Sequence, residues 1–193
     1  MVPSNKNTDA QWVALSLKNP DAFGPLVDRY EAKLSRYIRR LSGLEKESVQ
    51  DVLQEVFIKT YTHLNDYNPQ LSFSSWIYRI THNETINHLR KNKKQTILPL
   101  ESEDEESTKL IEVLRSEVDV EAELERKQLI EKIQQTIGQL PGRYREILVL
   151  RYMEDLDYQE ISDILKMPMG TVATQINRAK KKFKEGWNAL GGS

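Results

Sequence analysis

The chain has no cysteine in its 193 residues, which excludes disulfide bonds and thiolate chemistry and favours an intracellular setting. Its apolar runs are all much shorter than the roughly 20 residues that cross a membrane. The polar start, residues 1–7, lacks the apolar core of a signal peptide. Glycine and proline are sparse, at 8 and 7 residues, which suits a largely helical fold. These absences together predict a cytoplasmic, helical protein with no membrane segment.

Catalytic and metal-binding patterns are also lacking. His82 and His88 are six residues apart and do not share a helical face, and His63 is remote from both, so the histidines have no metal-ligand spacing. The sequence contains no Gly-rich phosphate loop, no nucleophile elbow and no catalytic triad pattern. We therefore expect no enzyme activity, no cofactor and no metal site.

The net charge of −1 conceals a strong segregation of charge along the chain. Residues 101–125 contain eleven acidic and two basic residues, whereas residues 166–184 contain six basic residues and no acidic one. A second basic cluster lies at residues 90–94. Two basic patches that flank an acidic segment predict a nucleic-acid-binding protein, which the total charge alone would not reveal.

Residues 157–184 have the pattern of a helix-turn-helix. Asp157 and Glu160 have capping-box spacing at the start of a short helix, and Pro168 can open a second helix after a tight turn. One side of the second helix is apolar: Val172, Ile176, Ala179, Phe183 and Trp187. Its other side is polar and basic, which favours DNA reading over the alternative of an ordinary helical hairpin with a solvated face.

Apolar residues at steps of three and four predict further helices before this motif. Asp9 can cap a first helix, Asp21 begins a second that ends at Gly43, and Ser48 with Asp51 has capping-box spacing for a third. The third helix has an apolar face with Val49, Val52, Leu53, Val56, Phe57 and Leu64. Its opposite, polar face would normally be a solvated surface.

A fourth helix is expected from Phe73 to about Arg90, after a polar loop over residues 65–72. Phe73, Trp76 and Tyr78 lie near its start, interleaved with amide and basic side chains. Aromatic rings beside cations suit single-stranded nucleic acid, because bases stack on rings and cations bind the backbone. Packing in the core remains the alternative for Phe73 and Trp76.

Residues 96–119 break the helical pattern with a proline, an acidic run and few apolar residues, which predicts a flexible linker. The predicted fold is all-α. Two small helical domains, residues 1–95 and 120–193, are joined by the acidic linker, and the second contains the helix-turn-helix.

Three sequence blocks resemble the extracytoplasmic-function (ECF) sigma factors, the minimal two-domain branch of the bacterial primary-sigma family. Residues 51–57, DVLQEVF, resemble the family's DxxQExF helix, and residues 73–83, FSSWIYRITHN, are similar to its segment that melts the promoter. Residues 140–178 begin with Leu-Pro and contain YQEI and GTV, as the family's last region does. The resemblance covers nearly the whole chain, from about Ala22 to Lys184.

The resemblance implies a promoter-specificity subunit of RNA polymerase. Its partners would be the clamp of the largest polymerase subunit, the flap of the second-largest subunit, promoter DNA and an anti-sigma factor. Core polymerase binding is implied for Asp51, Gln54, Glu55, Phe57 and Lys59. Contacts to the minus-ten element are implied for Tyr67, Asn68, Phe73, Ser74, Tyr78, Arg79, Asn83, Asn87 and Arg90. Contacts to the minus-thirty-five element are implied for Gly170, Thr171, Ala173, Thr174, Gln175, Asn177, Arg178, Lys181 and Lys182.

The recognition helix departs from the family at two positions. Ala173 and Gln175 stand where relatives often carry Lys or Arg, so promoter preference is expected to be atypical. The glutamine amide could bond adenine instead. A free-standing helix-turn-helix regulator is the alternative function, but it would leave the DxxQExF helix and the aromatic block unused.

Overall fold

The computed structural model describes residues 7–91 and 126–191, and every regular element in these ranges is helical. The all-α prediction is therefore confirmed. The predicted linker, residues 96–119, lies outside the described residues, and for residues 126–130 only the helical backbone is described. In the described ranges, no helix combines the length and the apolar character that a membrane span needs.

The described residues form two helical units. The first unit contains α1 (Asp9–Ser16), α2 (Gly24–Ser42), α3 (Lys46–Thr62) and α4 (Phe73–Lys91), with short 3₁₀ turns at Pro20–Phe23 and Leu64–Asp66. The second unit contains α5 (Arg126–Gln139), α6 (Gly142–Leu148), α7 (Tyr158–Leu165) and α8 (Met169–Ala189). A π-helical stretch, Val149–Met153, continues α6.

Helix starts in the first unit differ from the sequence-based expectations. Thr8, not Asp9, caps α1 in a capping box with Gln11. Asp9 is instead ion-paired with Arg29 and accepts a hydrogen bond of 2.6 Å from the hydroxyl of Tyr30. The predicted start of α3 at Ser48 is also wrong, because that helix already begins at Lys46 without a side-chain cap.

A cluster of four aromatic rings joins α2, the loop after α3 and α4 in the first unit. The Phe73 ring centroid lies 5.5 Å from Tyr30, 5.4 Å from Tyr67 and 5.6 Å from Trp76, with tilted or edge-on geometry. All four side chains are buried. Edge-on aromatic pairs contribute roughly 0.5–1.5 kcal/mol beyond burial, so this cluster orients the start of α4 relative to α2.

The second unit folds as the predicted helix-turn-helix with two additional helices behind it. Asp157 and Glu160 form the capping box of α7 as predicted, and α8 begins directly after Pro168. The predicted apolar side of α8 is buried throughout: Val172, Ile176, Ala179, Phe183 and Trp187. It packs on α5, α6 and α7, which leaves the polar side of α8 facing outward.

Arg145 is a buried cation that ties α5 and α6 together. Its guanidinium donates hydrogen bonds to the carbonyl oxygens of Ile137 and Leu140, at 3.2 and 3.5 Å, and to that of Gly138. It also donates to the carbonyl oxygen of Leu41 in the first unit at 3.4 Å. Burial lowers the pKa of Arg145. One side chain therefore satisfies carbonyl groups at the end of α5 that would otherwise be buried without donors.

The two units also contact each other, mainly where α4 packs on α7. This contact explains how Phe73 and Tyr78 can both be buried although they lie on different faces of α4. Phe73 faces the core of the first unit. The Tyr78 ring packs edge-on against Tyr37 of the same unit, with centroids 5.3 Å apart, while its hydroxyl donates to Glu154 of the second unit at 2.6 Å.

Candidate nucleic-acid interface

The outer face of α3 presents polar side chains together with one large apolar residue. Asp51, Gln54 and Glu55 are all exposed, while Val52 and Val56 on the inner face are buried. Ile58, three residues beyond Glu55, is 50% exposed on the same face. Ile58 is not among the docking residues expected from the sequence. The sequence nevertheless indicates it, because an isoleucine that lies off the apolar stripe of a helix is a candidate for contact with a partner.

The other two candidate docking residues make contacts within the first unit. Phe57 is half-buried, and its ring packs edge-on against Phe23 with centroids 6.5 Å apart. The Lys59 amino group forms an ion pair of 2.7 Å with Glu84 on α4. Phe57 therefore supports the shape of the first unit. Asp51, Gln54 and Glu55 are exposed, and the Lys59 side chain, which lies on the same side of α3, is 43% exposed in spite of its ion pair, so it remains a docking candidate.

The exposed face of α4 is a stripe of amide and guanidinium groups. Asn83, Asn87 and Arg90 are exposed and Arg79 is half-buried, and the four residues lie at steps of four, four and three. Asn68 is exposed in the preceding loop, where its Oδ1 accepts a hydrogen bond from the backbone amide of Gln70 at 3.0 Å. Amides that can both donate and accept, beside cations, are suited to base edges and phosphates.

A pocket of about 290 Å³ opens between α3 and α4 beside this stripe. Its lining combines apolar and polar groups: Lys59, His63, Asp66, Trp76, Arg79, Ile80, Asn83 and Glu84. The volume is near the lower end of small-ligand pockets, about 300–1,000 Å³. Two members of the predicted minus-ten set, Arg79 and Asn83, therefore line a pocket whose volume is near that of small-ligand sites.

The aromatic candidates for base stacking require a correction. Phe73, Tyr67 and Tyr78 are only 3%, 8% and 2% exposed, so none offers a free ring face in this conformation. The core packing that was left open for Phe73 is what the structure shows, and Trp76 lies in the same cluster. Ser74 is half-buried beside them. The aromatic rings near the start of α4 are thus covered, and the side chains that reach solvent there are polar ones and that of Leu71, which is 55% exposed.

The outer face of α8 is exposed and basic, as a recognition helix requires. The exposed candidates on this helix are Gly170, Thr171, Thr174, Asn177, Arg178, Lys181 and Lys182. The Thr174 hydroxyl donates to the backbone carbonyl of Gly170 at 2.9 Å, which leaves its lone pairs available as acceptors. Lys182 forms a surface ion pair of 2.7 Å with Glu185. Lys181 is therefore the better candidate for a phosphate contact.

The two residues of α8 that depart from the family pattern are both half-buried, Ala173 and Gln175. The Gln175 Oε1 atom is shielded from solvent and has no hydrogen-bond partner among the described residues. A glutamine placed in this way does not present its full amide to a base edge. The suggested bond from Gln175 to adenine would therefore need a change of side-chain rotamer.

Charged groups are buried where the two units meet. The Glu154 carboxylate accepts from the Arg40 guanidinium at 2.8 Å and from the Tyr78 hydroxyl at 2.6 Å, and the Arg40 and Glu154 side chains are 1% and 3% exposed. Burial, and then the charge of Glu154, raises the pKa of Tyr78, which keeps this hydroxyl a donor.

A second pair lies nearby, with His82 Nδ1 at 2.7 Å from Glu146 Oε1. Burial raises the pKa of Glu146 to about 7. Burial, followed by the charge of Arg90, lowers the pKa of His82 to about 4. Burial thus favours the neutral form of both groups, which favours a hydrogen bond between them over a salt bridge.

Comparison with known families accounts for both units. Residues 26–95 match Sigma-70 region 2, and residues 130–183 match Sigma-70, region 4. The chain is 35% identical over 166 residues to the ECF RNA polymerase sigma factor SigW of Bacillus subtilis, covering 86% of this chain and 88% of that relative. The chain belongs to the ECF sigma factors. As members of that family, such proteins act in promoter-specific transcription initiation and are regulatory proteins rather than enzymes.

Other relatives of this sigma factor give the same assignment. It is 34% identical to the RNA polymerase sigma-H factor of Pseudomonas aeruginosa, with 88% of each chain covered, and 32% identical to the ECF RNA polymerase sigma-E factor of Escherichia coli strain K12, with 83% of each covered. The resemblance inferred from three sequence blocks is therefore confirmed.

Two solved structures share the fold of this sigma factor. CnrH, in complex with the cytosolic domain of CnrY, matches with a TM-score of 0.69 at 23% identity, covering 95% of this chain and 99% of CnrH. The sigma factor RpoE of Bartonella quintana, in complex with the anti-sigma factor NepR, matches with a TM-score of 0.65 at 14% identity, covering 86% and 96%.

Proposed function

We propose that this chain binds core RNA polymerase and directs initiation at promoters by reading a minus-ten and a minus-thirty-five element and by helping to melt DNA. The observation that carries the proposal is the placement of three exposed faces. The α3 face offers carboxylates and an amide, the α4 stripe offers amides and cations, and the α8 face offers a basic helix-turn-helix surface. A cytoplasmic location follows from the polymerase partner.

The α3 face, with Asp51, Gln54, Glu55 and Ile58, is proposed to dock on a helical partner surface of the polymerase clamp. An apolar residue flanked by charged and polar groups is the usual arrangement of a protein interface, with an apolar centre and a polar rim. The α4 stripe lies on the neighbouring helix, so a chain docked through α3 would hold its minus-ten surface beside the polymerase.

The pocket between α3 and α4 is proposed to receive an unpaired base of the minus-ten element. Its volume of about 290 Å³ and its mixed lining are compatible with one nucleobase. Unpairing a base costs a few kcal/mol, which must be offset by bonds to its exposed edge. Asn83 and Arg79 line the pocket together with the Trp76 ring, and Asn68 is exposed in the loop before α4, so the amides of Asn83 and Asn68 and the guanidinium of Arg79 are the groups proposed for those bonds.

The first prediction concerns promoter opening. Asn68→Ala and Asn83→Ala are each expected to slow opening of duplex promoter by about 5- to 150-fold, since a lost hydrogen bond that offsets unpairing costs roughly 1–3 kcal/mol. Permanganate footprinting measures the opening. Asn188→Ala, which removes an exposed amide at the end of α8, should open promoters at the wild-type rate.

A template that is already melted over the minus-ten element distinguishes a specific defect in promoter opening from a general loss of transcription activity. On it the Asn68 and Asn83 variants should recover most of their activity, because the cost of unpairing has already been removed. Wild-type opening rates in both variants on duplex DNA would show that this surface does not melt the promoter.

The second prediction separates base reading from phosphate binding on α8. Arg178→Ala should lose activity by about 5- to 150-fold at promoters with a minus-thirty-five element and little at promoters without one, because a lost base contact costs roughly 1–3 kcal/mol. Lys181→Ala should weaken binding similarly on all sequences and flatten its salt dependence. Transcription from matched promoters over a salt series measures both effects, and equal losses from the two variants on every promoter would contradict the distinction.

Reconstitution with core polymerase tests the proposed function as a whole. Adding the chain to core polymerase should produce initiation at defined sites, which sequencing of transcript starts identifies, while the chain alone should bind promoter duplex weakly. Tight binding of an operator by the free chain, without any effect on core polymerase, would instead favour a free-standing helix-turn-helix regulator.

An anti-sigma partner is part of the same proposal. CnrH and RpoE were both solved with a bound partner protein, CnrY and the anti-sigma factor NepR. We extend that class of partner to this chain, and inhibition of the reconstituted initiation by a co-purified partner would test it.

A further inference from the structure

The first half of α8 has no charged residue. Residues 169–177 contain neither an acid nor a base, and the first charged side chain of the helix is that of Arg178. In a helix-turn-helix, residues near the start of the second helix contact the base edges. Without a cation, this half of α8 cannot make the bidentate contact of arginine or lysine with guanine. It must therefore read bases through hydroxyls, amides or apolar contact.

Met169, the first residue of α8, places an apolar side chain at this position. It is 50% exposed, and it is the only large apolar side chain left exposed on α8, a helix that the structure describes from end to end. A Cβ atom added at Gly170 would meet nothing within 4 Å apart from its own helix and chain neighbours, so the surface here is open. The backbone of the first turn is fixed, because the amides of Thr171 and Val172 donate to the Pro168 carbonyl at 2.8 and 3.0 Å. Met169 is thus held in a defined place without being covered.

A single exposed apolar residue needs no explanation on most protein surfaces. At the start of a recognition helix, however, it lies where the major groove presents one apolar group, the C5 methyl of thymine. A methionine side chain suits this group because it is apolar, unbranched and flexible, and it adapts to the shape of what it contacts. The chemistry at the start of α8 therefore matches the major-groove edge of a T·A pair.

Ala173 keeps the methionine accessible. It lies four residues after Met169, so the two residues share one side of the helix, and side chains tilt toward the helix start. A lysine or arginine at this position, which relatives often carry, would extend over Met169. Ala173 is half-buried and ends at its Cβ atom. The departure from the family pattern at position 173 thus exposes an apolar group that a longer side chain would cover.

We propose that Met169 is a specificity residue of α8 that recognises a thymine of the minus-thirty-five element through its C5 methyl group, and that Ala173 makes this contact possible. The inference rests on the proposed function, since it requires α8 to enter the major groove of that element. It implies that one T·A pair of the element is read by apolar contact rather than by a hydrogen bond.

Replacing thymine by uracil in the promoter tests the contact without changing the protein. Uracil forms the same base pair and lacks only the methyl group. The probes are promoters identified by transcript starts of the reconstituted polymerase, with single uracils placed across both strands of the minus-thirty-five element. At one position uracil should weaken promoter binding by about fourfold, the equivalent of roughly 0.8 kcal/mol for one buried methyl-sized group. Competition between thymine and uracil duplexes for the polymerase measures the ratio of affinities.

Variants of Met169 assign the effect to this side chain. Met169→Ala should bind the thymine and uracil promoters equally, and its thermal unfolding should match that of wild type because the residue is half exposed. Met169→Leu keeps an apolar side chain of similar volume, so it should retain at least about a twofold preference for thymine. Leu15→Ala removes an apolar side chain that is 43% exposed on α1, and it should show the wild-type ratio.

Substitution of Ala173 provides an independent check. Ala173→Lys should bind duplexes of every sequence more tightly and with a steeper salt dependence, because it adds a cation. It should also bind the thymine and uracil promoters equally, because the lysine side chain covers Met169. Ala173→Ser leaves the side chain short and should keep the preference for thymine.

The outcomes distinguish this inference from the proposed function. If uracil has no effect at any position of the element, or if Met169→Ala keeps the wild-type ratio, the inference is wrong. If the chain adds nothing to core polymerase, the proposed function fails, and the free chain decides the inference. Duplexes that the free chain selects from a random-sequence pool should then bind it more weakly when they are made with uracil, and Met169→Ala should lose this difference. Equal binding of the two kinds of duplex by the wild-type chain would overturn the inference.

Discussion

Replacing Asp51, Gln54 and Glu55 together by alanine is expected to weaken binding to core RNA polymerase roughly a hundredfold, while the protein stays folded. A loss of about 1 kcal/mol for each side chain gives this factor. All three residues are exposed on α3, opposite the buried Val52 and Val56, so the core is not disturbed. Displacement of labelled wild-type chain from core polymerase measures the affinity, and thermal unfolding checks the fold.

The control removes the same charge from a different helix. Asp28→Ala combined with Glu31→Ala takes two negative charges from exposed positions on α2 and should leave polymerase binding unchanged. Ile58→Ala should weaken binding further when added to the triple variant, because apolar residues at the centre of an interface contribute strongly. If the triple variant competes as well as wild type, the docking face has been assigned to the wrong surface.

Phe73→Ala is expected to destabilise the protein by about 3–5 kcal/mol, the usual cost of removing a buried aromatic ring. The ring is 3% exposed and packs against Tyr30, Tyr67 and Trp76, so its loss leaves a cavity beside α4. Urea unfolding measures the change in free energy. Phe73→Leu keeps most of the volume and should lose less than half as much.

The unfolding free energy and the promoter-opening rate of Phe73→Ala must both be measured to separate a loss of fold from a loss of function. Tyr61→Ala, which removes a ring that is 39% exposed in the same unit, should cost at most about 1 kcal/mol. At a temperature where Phe73→Ala is folded, its opening rate should return toward that of wild type. If a Phe73 variant is as stable as wild type but opens duplex DNA slowly, that result would support a role of Phe73 in base stacking, which its burial argues against.

The sequence by itself determined that the chain is helical and which side of α8 is buried. The apolar positions of α8 recur at helical spacing, so the face with Val172 and Phe183 had to pack inward and the basic face had to remain outside. The capping box of Asp157 and Glu160 was also readable, because its bonds join residues only three apart. Local spacing is sufficient for such features.

Local spacing was less reliable where several residues compete for one role. Thr8 and Asp9 can both cap a helix. Thr8 caps α1, because the Asp9 carboxylate binds Arg29 and Tyr30, about twenty residues later in the chain. For α3, the Ser48–Asp51 spacing looked like a capping box, but the helix begins one half-turn earlier, at Lys46. Contacts with distant residues decide between local alternatives of similar free energy.

The tertiary structure alone decided which aromatic and charged residues are available to a partner. Phe73, Trp76 and Tyr78 have the same chemistry in the sequence, and nothing in their spacing shows that a second unit covers Tyr78 or that three other rings surround Phe73. Arg40 and Glu154 are 114 positions apart, so no local pattern can pair them. Burial depends on which surfaces meet when distant segments pack, and that is a property of the folded chain rather than of any segment of its sequence.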